Sequence, residues 1–274
     1  MTSRVLVTGA AGFLGAEMIR QFVSAGTDAV GTTFRRPAQV PIPTVKIDLR
    51  NAVASQELVA EVRPTLVINA AYSSADWEIT AVAPAHLATA AHAVGADFVQ
   101  VSSDVVFAGG PERYTEDSAP CPVNAYGAAK AAAEVAVRAC HPGATIARIS
   151  LQMGTLEGHI ERFVHEVVTH KRDGVFFTDD VKYPAHVADT ARCLRELAGR
   201  PGMFHLPGAD ACNRFELAEL VCAQYGWPTD RLRPGSRLEA GIPGPAQVHL
   251  DGTRTLAALQ SPMRGAREFL SPDT

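Results

Sequence analysis

The sequence predicts an α/β fold: a doubly wound parallel sheet followed by a small, discontinuous C-terminal lobe. Short β-branched or aliphatic runs alternate with amphipathic helical stretches through the first half of the 274 residues, the pattern that builds a parallel sheet covered by helices on both faces. A glycine-rich turn, Gly9-Ala10-Ala11-Gly12-Phe13-Leu14-Gly15, stands where the first strand gives way to the first helix. Beyond Ser150 the alternation breaks into segments interrupted by glycine and proline. A smaller lobe is expected there.

The elements follow in order. Strands are expected at 4–7, 29–31, 45–47, 66–68, 98–101 and 145–149, with helical segments between them. The best-bounded helices are 12–24, stopping before Gly26, and 81–94, stopping before Gly95, since glycine takes the left-handed conformation that ends a helix. Helices near 160–170, 187–197 and 214–225, a strand at 203–205 and proline-rich linkers around 228–245 complete the chain. The strand at 203–205 and the helices near 187–197 and 214–225 are expected to shuttle between the lobe and the main sheet.

Composition narrows the function. At 47% hydrophobic residues the chain can bury a large core. A net charge of −4 with both signs interspersed gives no field that would concentrate nucleic acid or anionic lipid, and no apolar run approaches the roughly 20 residues of a membrane span. The expected partner is a small molecule. Five cysteines, widely spaced and with no C-x-x-C pair, indicate neither a disulfide frame nor a zinc site. The N-terminus enters a strand without a basic and long apolar leader, so a cytoplasmic protein is expected.

The glycine turn carries the first chemistry. Gly9 permits a tight turn, Gly12 lets the backbone approach a pyrophosphate, and Gly15 lets helix pack on strand, while free N–H groups and the helix dipole hold negative charge. With Ala11, Phe13 and Leu14 this is a dinucleotide site in a Rossmann domain. The second strand normally ends in a carboxylate for the ribose hydroxyls of NAD. Here it runs Ala29-Val30-Gly31-Thr32-Thr33-Phe34-Arg35-Arg36. Guanidinium groups match phosphate oxygens, so Thr33, Arg35 and Arg36 favour NADP(H) over NAD(H). Asp48 and Leu49, one strand further on, are expected beside adenine, and Asn69, Ala70 and Ala71 close the next strand beside the cofactor.

The second constellation is for proton transfer. Strand 98–101 runs into Ser102-Ser103-Asp104, and Tyr126 with Lys130 opens a later helical segment. Their i, i+4 spacing puts both on one helix face. Hydride delivery to a carbonyl creates an alkoxide, which needs donors aimed at that oxygen and finally a proton. Tyr126 is the expected acid, Lys130 the ammonium that lowers its pKa and reaches the nicotinamide ribose, and Ser103 the second donor.

Together these residues resemble the extended short-chain dehydrogenase/reductase superfamily, in its dTDP-4-dehydrorhamnose reductase-like branch. Val5-Leu6-Val7-Thr8-Gly9 with the glycine turn, Asn69-Ala70-Ala71, Ser102-Ser103-Asp104-Val105-Val106-Phe107, Tyr114-Thr115-Glu116-Asp117, Pro122-Val123-Asn124-Ala125-Tyr126-Gly127, Ala147-Arg148-Ile149-Ser150, Tyr183-Pro184-Ala185-His186-Val187-Ala188-Asp189 and the 250–265 tail carry the likeness. It implies an NADPH-dependent reductase of the 4-keto group of a nucleotide-activated deoxysugar, a homodimer being one assembly open to it. Arg148 stands where the family has a cofactor-side or structural arginine, and Asp189 is expected as a helix N-terminal carboxylate. The dinucleotide-binding domain would span 1–150 with 178–206 returning to it, and the substrate lobe 151–177 and 207–274. Three departures from the family pattern point to an altered substrate pocket: a shortened 76–80 segment, Ile79-Thr80-Ala81 where many members carry an Asn, and Val105 in place of an aromatic. Val105 also argues against a 4,6-dehydratase, which places Glu there. Two further readings remain: reduction of another small ketone, and a non-catalytic, NADP-binding regulatory subunit like the beta subunit of methionine adenosyltransferase.

Overall fold

A computed structural model of the chain describes residues 3–245 and 247–271. Seven strands form the central sheet: β1 (Arg4–Thr8), β2 (Asp28–Thr33), β3 (Thr44–Lys46), β4 (Leu66–Asn69), β5 (Asp97–Ser103), β6 (Thr145–Ile149) and β7 (Gly202–Leu206). Every pairing is parallel, in the order β7-β6-β5-β4-β1-β2-β3. Strand order reverses between β1 and β4, which opens the crevice at their C-terminal ends where open α/β sheets bind ligands. The doubly wound α/β fold is as expected.

Helices α1 (Phe13–Ser24), α2 (Ala52–Val62), α3 (Ala83–Ala93) and α4 (Ala125–Cys140) connect these strands. Two apolar layers hold the sheet. On one face α1 packs with α6 (Val187–Leu197) through Met18, Phe22, Ala191 and Leu194. On the other, Leu58 and Val62 of α2, Leu87 and Ala91 of α3 and Val137 of α4 cover Leu6, Val67 and Phe98. In the lobe, α5 (His159–Val168) and α7 (Arg214–Tyr225) enclose a third core around Val164, Leu217 and Val221. Asn213 and Glu216 start α7 with a reciprocal capping box, and Gly226, left-handed at φ 65°, ends it.

Two local departures have physical causes. The helix expected from 81 begins earlier, as a π-helical turn at Glu78–Val82 that leads into α3. The shortened segment before it is tied down by Thr80, whose hydroxyl donates to the Ser73 carbonyl at 2.7 Å and accepts from the Ser73 N–H at 3.0 Å. In the C-terminal stretch, Leu256, Leu259 and Met263 pack against the α1/α6 core. Thr255 stitches this stretch to the body, donating to Glu116 at 2.6 Å and accepting from the His205 N–H at 3.0 Å.

Candidate active site

The glycine turn lies at the C-terminal end of β1, and its geometry is dictated by crowding. Gly9 takes φ +72°, and a Cβ there would stand 3.0 Å from the Ala71 backbone. A Cβ on Gly15 would come within 2.2 Å of the Gly9 carbonyl oxygen. Only glycine lets α1 begin this close to the strand. The Gly12 cap of α1 has no side-chain bond, and the first turn carries no acidic residue. Its opening N–H groups are therefore available to an anion, and no carboxylate repels one. These residues fit a dinucleotide pyrophosphate. Leu14 points inward as part of the α1/α6 core, so only its backbone serves the loop.

At the end of β2, Thr33 is half-buried and Arg35 and Arg36 are exposed. Arg35 lies over the Phe34 ring at 5.7 Å, and Arg50, which the sequence reading missed, lies over it at 5.6 Å. Arg50 grips Asp48 through bonds of 2.6 to 3.1 Å and reaches Asp76 at 3.2 Å. Its hydrogen bond holds the Asp48 carboxyl below the usual carboxylate range. Asp48 is thus bound to a guanidinium two residues on, a pairing that only the fold of the β3–α2 turn reveals. The Leu49 side chain is 4% exposed and packs in the second core, so the contact expected beside adenine falls to its backbone. The Asn69 side chain is likewise committed to the interior. Its amide is buried, accepting from the Thr8 hydroxyl at 2.6 Å and donating to Gln100 at 2.9 Å, which locks β1, β4 and β5 together. Ala70 and Ala71 follow it at the crevice edge, and the Ala71 N–H donates to Thr8.

Ser103 ends β5 and Tyr126 opens α4, whose start is fixed by Asn124 accepting the Gly127 N–H at 2.7 Å. The two come together: burial pushes the phenol pKa up, and a hydrogen bond with Ser103 opposes that rise without overcoming it. Lys130 lies beneath them, 3% exposed, donating to the Val101 carbonyl at 3.0 Å. Its ammonium is 5.9 Å from the Tyr126 ring centroid and 5.1 Å from that of Tyr72. Tyr72 escaped the sequence reading. It stands three residues beyond Asn69, exposed, with its ring 5.6 Å from Tyr126. Its place just past a strand's C-terminal end was the signal that could have found it.

The charge balance differs from expectation. Lys130 was expected to lower the Tyr126 pKa; in this structure burial dominates and pushes the phenol up, with Tyr72 and Asp104 adding to the rise. Burial likewise pushes Lys130 down, to about 8, against the opposing pull of Glu134. Glu134 is engaged elsewhere, accepting from Arg148 at 2.8 and 2.9 Å and from Ser102 at 2.5 Å. Arg148, 2% exposed, is therefore the structural partner of Glu134 under the site. Asp189 sits in the first turn of α6, where it holds Arg264 and Arg192. Among the described residues no group of His, Cys, Asp or Glu is placed to hold a metal, and no helix is long and apolar enough to cross a membrane.

The family model for the RmlD substrate binding domain matches residues 3–271. The chain belongs to that family. This is the dTDP-4-dehydrorhamnose reductase-like branch of the extended short-chain dehydrogenase/reductases. Within reach of the family are two kinds of curated relative. The beta subunit of methionine adenosyltransferase 2 from Bos taurus is 32% identical, over 98% of this chain and 87% of the relative. A dTDP-4-dehydrorhamnose reductase from Mycolicibacterium smegmatis is 29% identical, over 98% and 84%. Among solved structures, the dTDP-4-dehydrorhamnose reductase of Bacillus anthracis in complex with NADP superposes with a TM-score of 0.84 at 25% identity, covering 98% of this chain and 96% of that one.

Proposed function

We propose that this chain is a reductase that uses NADPH to reduce a keto group, the 4-keto group of a nucleotide-activated deoxysugar. The observation that carries the reading is the convergence of Ser103, Tyr126 and buried Lys130 at the crevice that the glycine turn also borders. The family and the NADP complex of the Bacillus anthracis relative support it. In this reading 1–150 and 178–206 form the dinucleotide side, except the strand Val181–Lys182, which pairs with Cys212–Asn213 of the lobe; 151–177 with 207–274 form the substrate side, less the stretch around Leu256 and Met263 that packs on the body.

The dinucleotide, when bound, supplies the hydride. The glycine turn through Gly9, Ala11, Gly12, Phe13, Leu14 and Gly15 would hold its pyrophosphate, with Arg35 and Arg36, neither ion-paired to a described residue, at the 2′-phosphate. As the substrate carbonyl becomes an alkoxide, Ser103 would hold its oxygen and Tyr126 would give it a proton. A phenol held above its ordinary pKa is fully protonated at neutral pH, which suits an acid in the reductive direction. Lys130, close to both tyrosine rings, would stabilise the phenolate left behind.

The test is NADPH oxidation by the purified chain with dTDP-4-dehydrorhamnose, run beside a Tyr126→Phe control. Turnover that the control loses supports the reading. A second reading rests on the methionine adenosyltransferase relatives: a regulatory subunit that binds the dinucleotide without turning it over. It predicts NADPH binding, no oxidation with any keto-sugar nucleotide, and a change in the activity of a co-purifying synthetase.

A further inference from the structure

Behind the Ser103–Tyr126 pair lies a buried charge that the mechanism above does not use. Lys182, on the short lobe strand Val181–Lys182, is 4% exposed, and its Nζ makes no hydrogen bond with any described residue. A buried ammonium with idle donors is costly, and its placement calls for a reason. The nearest opposite charge is Oδ2 of Asp104, 3.8 Å away. Asp180, just before the lobe strand, is already taken by Arg214 at 3.0 Å and Arg237 at 3.5 Å. Asp104 is itself 4% exposed. Its Oδ1 accepts from the Ser103 hydroxyl at 3.2 Å and its Oδ2 from Ser150 at 3.2 Å.

Half-buried Ser103 meets Oδ1 of buried Asp104, and buried Lys182 faces its Oδ2. A carboxylate buried at that depth needs a compensating charge; without one it would grip the Ser103 proton, a charge-assisted bond, more tightly. Ser103 and Asp104 come from the sheet, whereas Lys182 comes from the lobe.

We propose that Lys182 is a positioning residue for carbonyl reduction: the lobe's charge engages the Asp104 carboxylate, weakens its hold on the Ser103 proton, and so lets the Ser103 hydroxyl turn from Oδ1 to the substrate oxygen. The site is then complete only when the lobe is docked against the sheet. The inference rests on the reductase reading and not on the sugar.

The experiment is a cycle of wild type, Lys182→Met, Ser103→Ala and the double variant, with kcat, KM and NADPH affinity measured for two probes: dTDP-4-dehydrorhamnose and phenanthrenequinone, a diketone with neither sugar nor nucleotide. Lys182→Met should lower kcat at least tenfold in the wild-type background, with NADPH affinity unchanged. In the Ser103→Ala background it should change kcat less than twofold, because the group it orients is gone. An equal loss in both backgrounds, or no loss in the wild type, overturns the proposal. Lys182→Gln replaces Lys182→Met if the latter does not fold. Turnover of the diketone alone refutes the sugar reading and leaves the cycle readable; turnover of neither probe overturns the reductase reading and this inference together.

Discussion

Replacing Lys130 by Met is expected to stabilise the protein without its cofactor at neutral pH while disabling the site. The Lys130 ammonium is 3% exposed and donates to the Val101 carbonyl, while Glu134, one turn along the helix, is held by Arg148 and Ser102. Burial therefore wins, lowering the pKa from 10.5 to about 8. At 1.36 kcal/mol for each pKa unit, holding the charged form inside the fold costs about 3 kcal/mol. Between pH 8 and 10.5 the unfolded chain binds more protons than the folded one, so wild-type stability rises with pH across that window; below pH 8 the whole penalty applies. Met keeps the length of the side chain without the charge, and the Val101 carbonyl keeps its bond from Gln100 at 3.0 Å. Urea unfolding at pH 7 should show the variant more stable by up to about 3 kcal/mol, with the gap closing by more than half at pH 9.5. A gap that does not change with pH, or a variant less stable at pH 7, would refute the assignment of Lys130 as a buried, protonated amine.

Tyr126→Phe should lower turnover by roughly 10²-fold and leave NADPH affinity unchanged in a fluorescence titration, since only the reacting oxygen needs the hydroxyl. Arg35→Ala with Arg36→Ala should erase a preference for NADPH over NADH of about tenfold; competitive titration of the two cofactors reads this directly, and equal wild-type affinities would contradict it. Gly15→Ala must displace the turn, because its Cβ would lie 2.2 Å from the Gly9 carbonyl oxygen, so dinucleotide affinity should fall at least tenfold by the same titration. Glu134→Gln leaves Arg148, 2% exposed, without its counter-charge and should cost about 3–5 kcal/mol in urea unfolding.

Much of the frame was legible because it is written in local patterns. The glycine turn, the alternating strands and helices, and the i, i+4 spacing of Tyr126 and Lys130 depend on neighbours a few residues apart, and α6 and α7 fall at 187–197 and 214–225 as read. The Ser103, Tyr126 and Lys130 set was proposed from that pattern together with a family likeness, and the fold brings the three side chains to one place.

What the sequence could not say is which polar side chain meets which across the chain. Asn69 reads as a crevice residue by its position at a strand end, yet register sets it between Thr8 and Gln100, 61 and 31 residues away, and its amide is used up there. Leu49 reads as a neighbour of adenine, and packing turns its side chain into the core, leaving its backbone for that role. Arg50 and Tyr72 carry no motif, and the pairing of Lys182 with Asp104 joins residues from the lobe and the sheet. The direction of the Tyr126 and Lys130 pKa shifts was equally out of reach. Spacing brings an ammonium near a phenol, but desolvation depends on everything packed around them, and here it is the largest cause of both shifts. By itself the sequence determined the backbone frame and the chemical types at the crevice; burial and long-range pairing, which exist only in the tertiary structure, decided which of those groups are free to act.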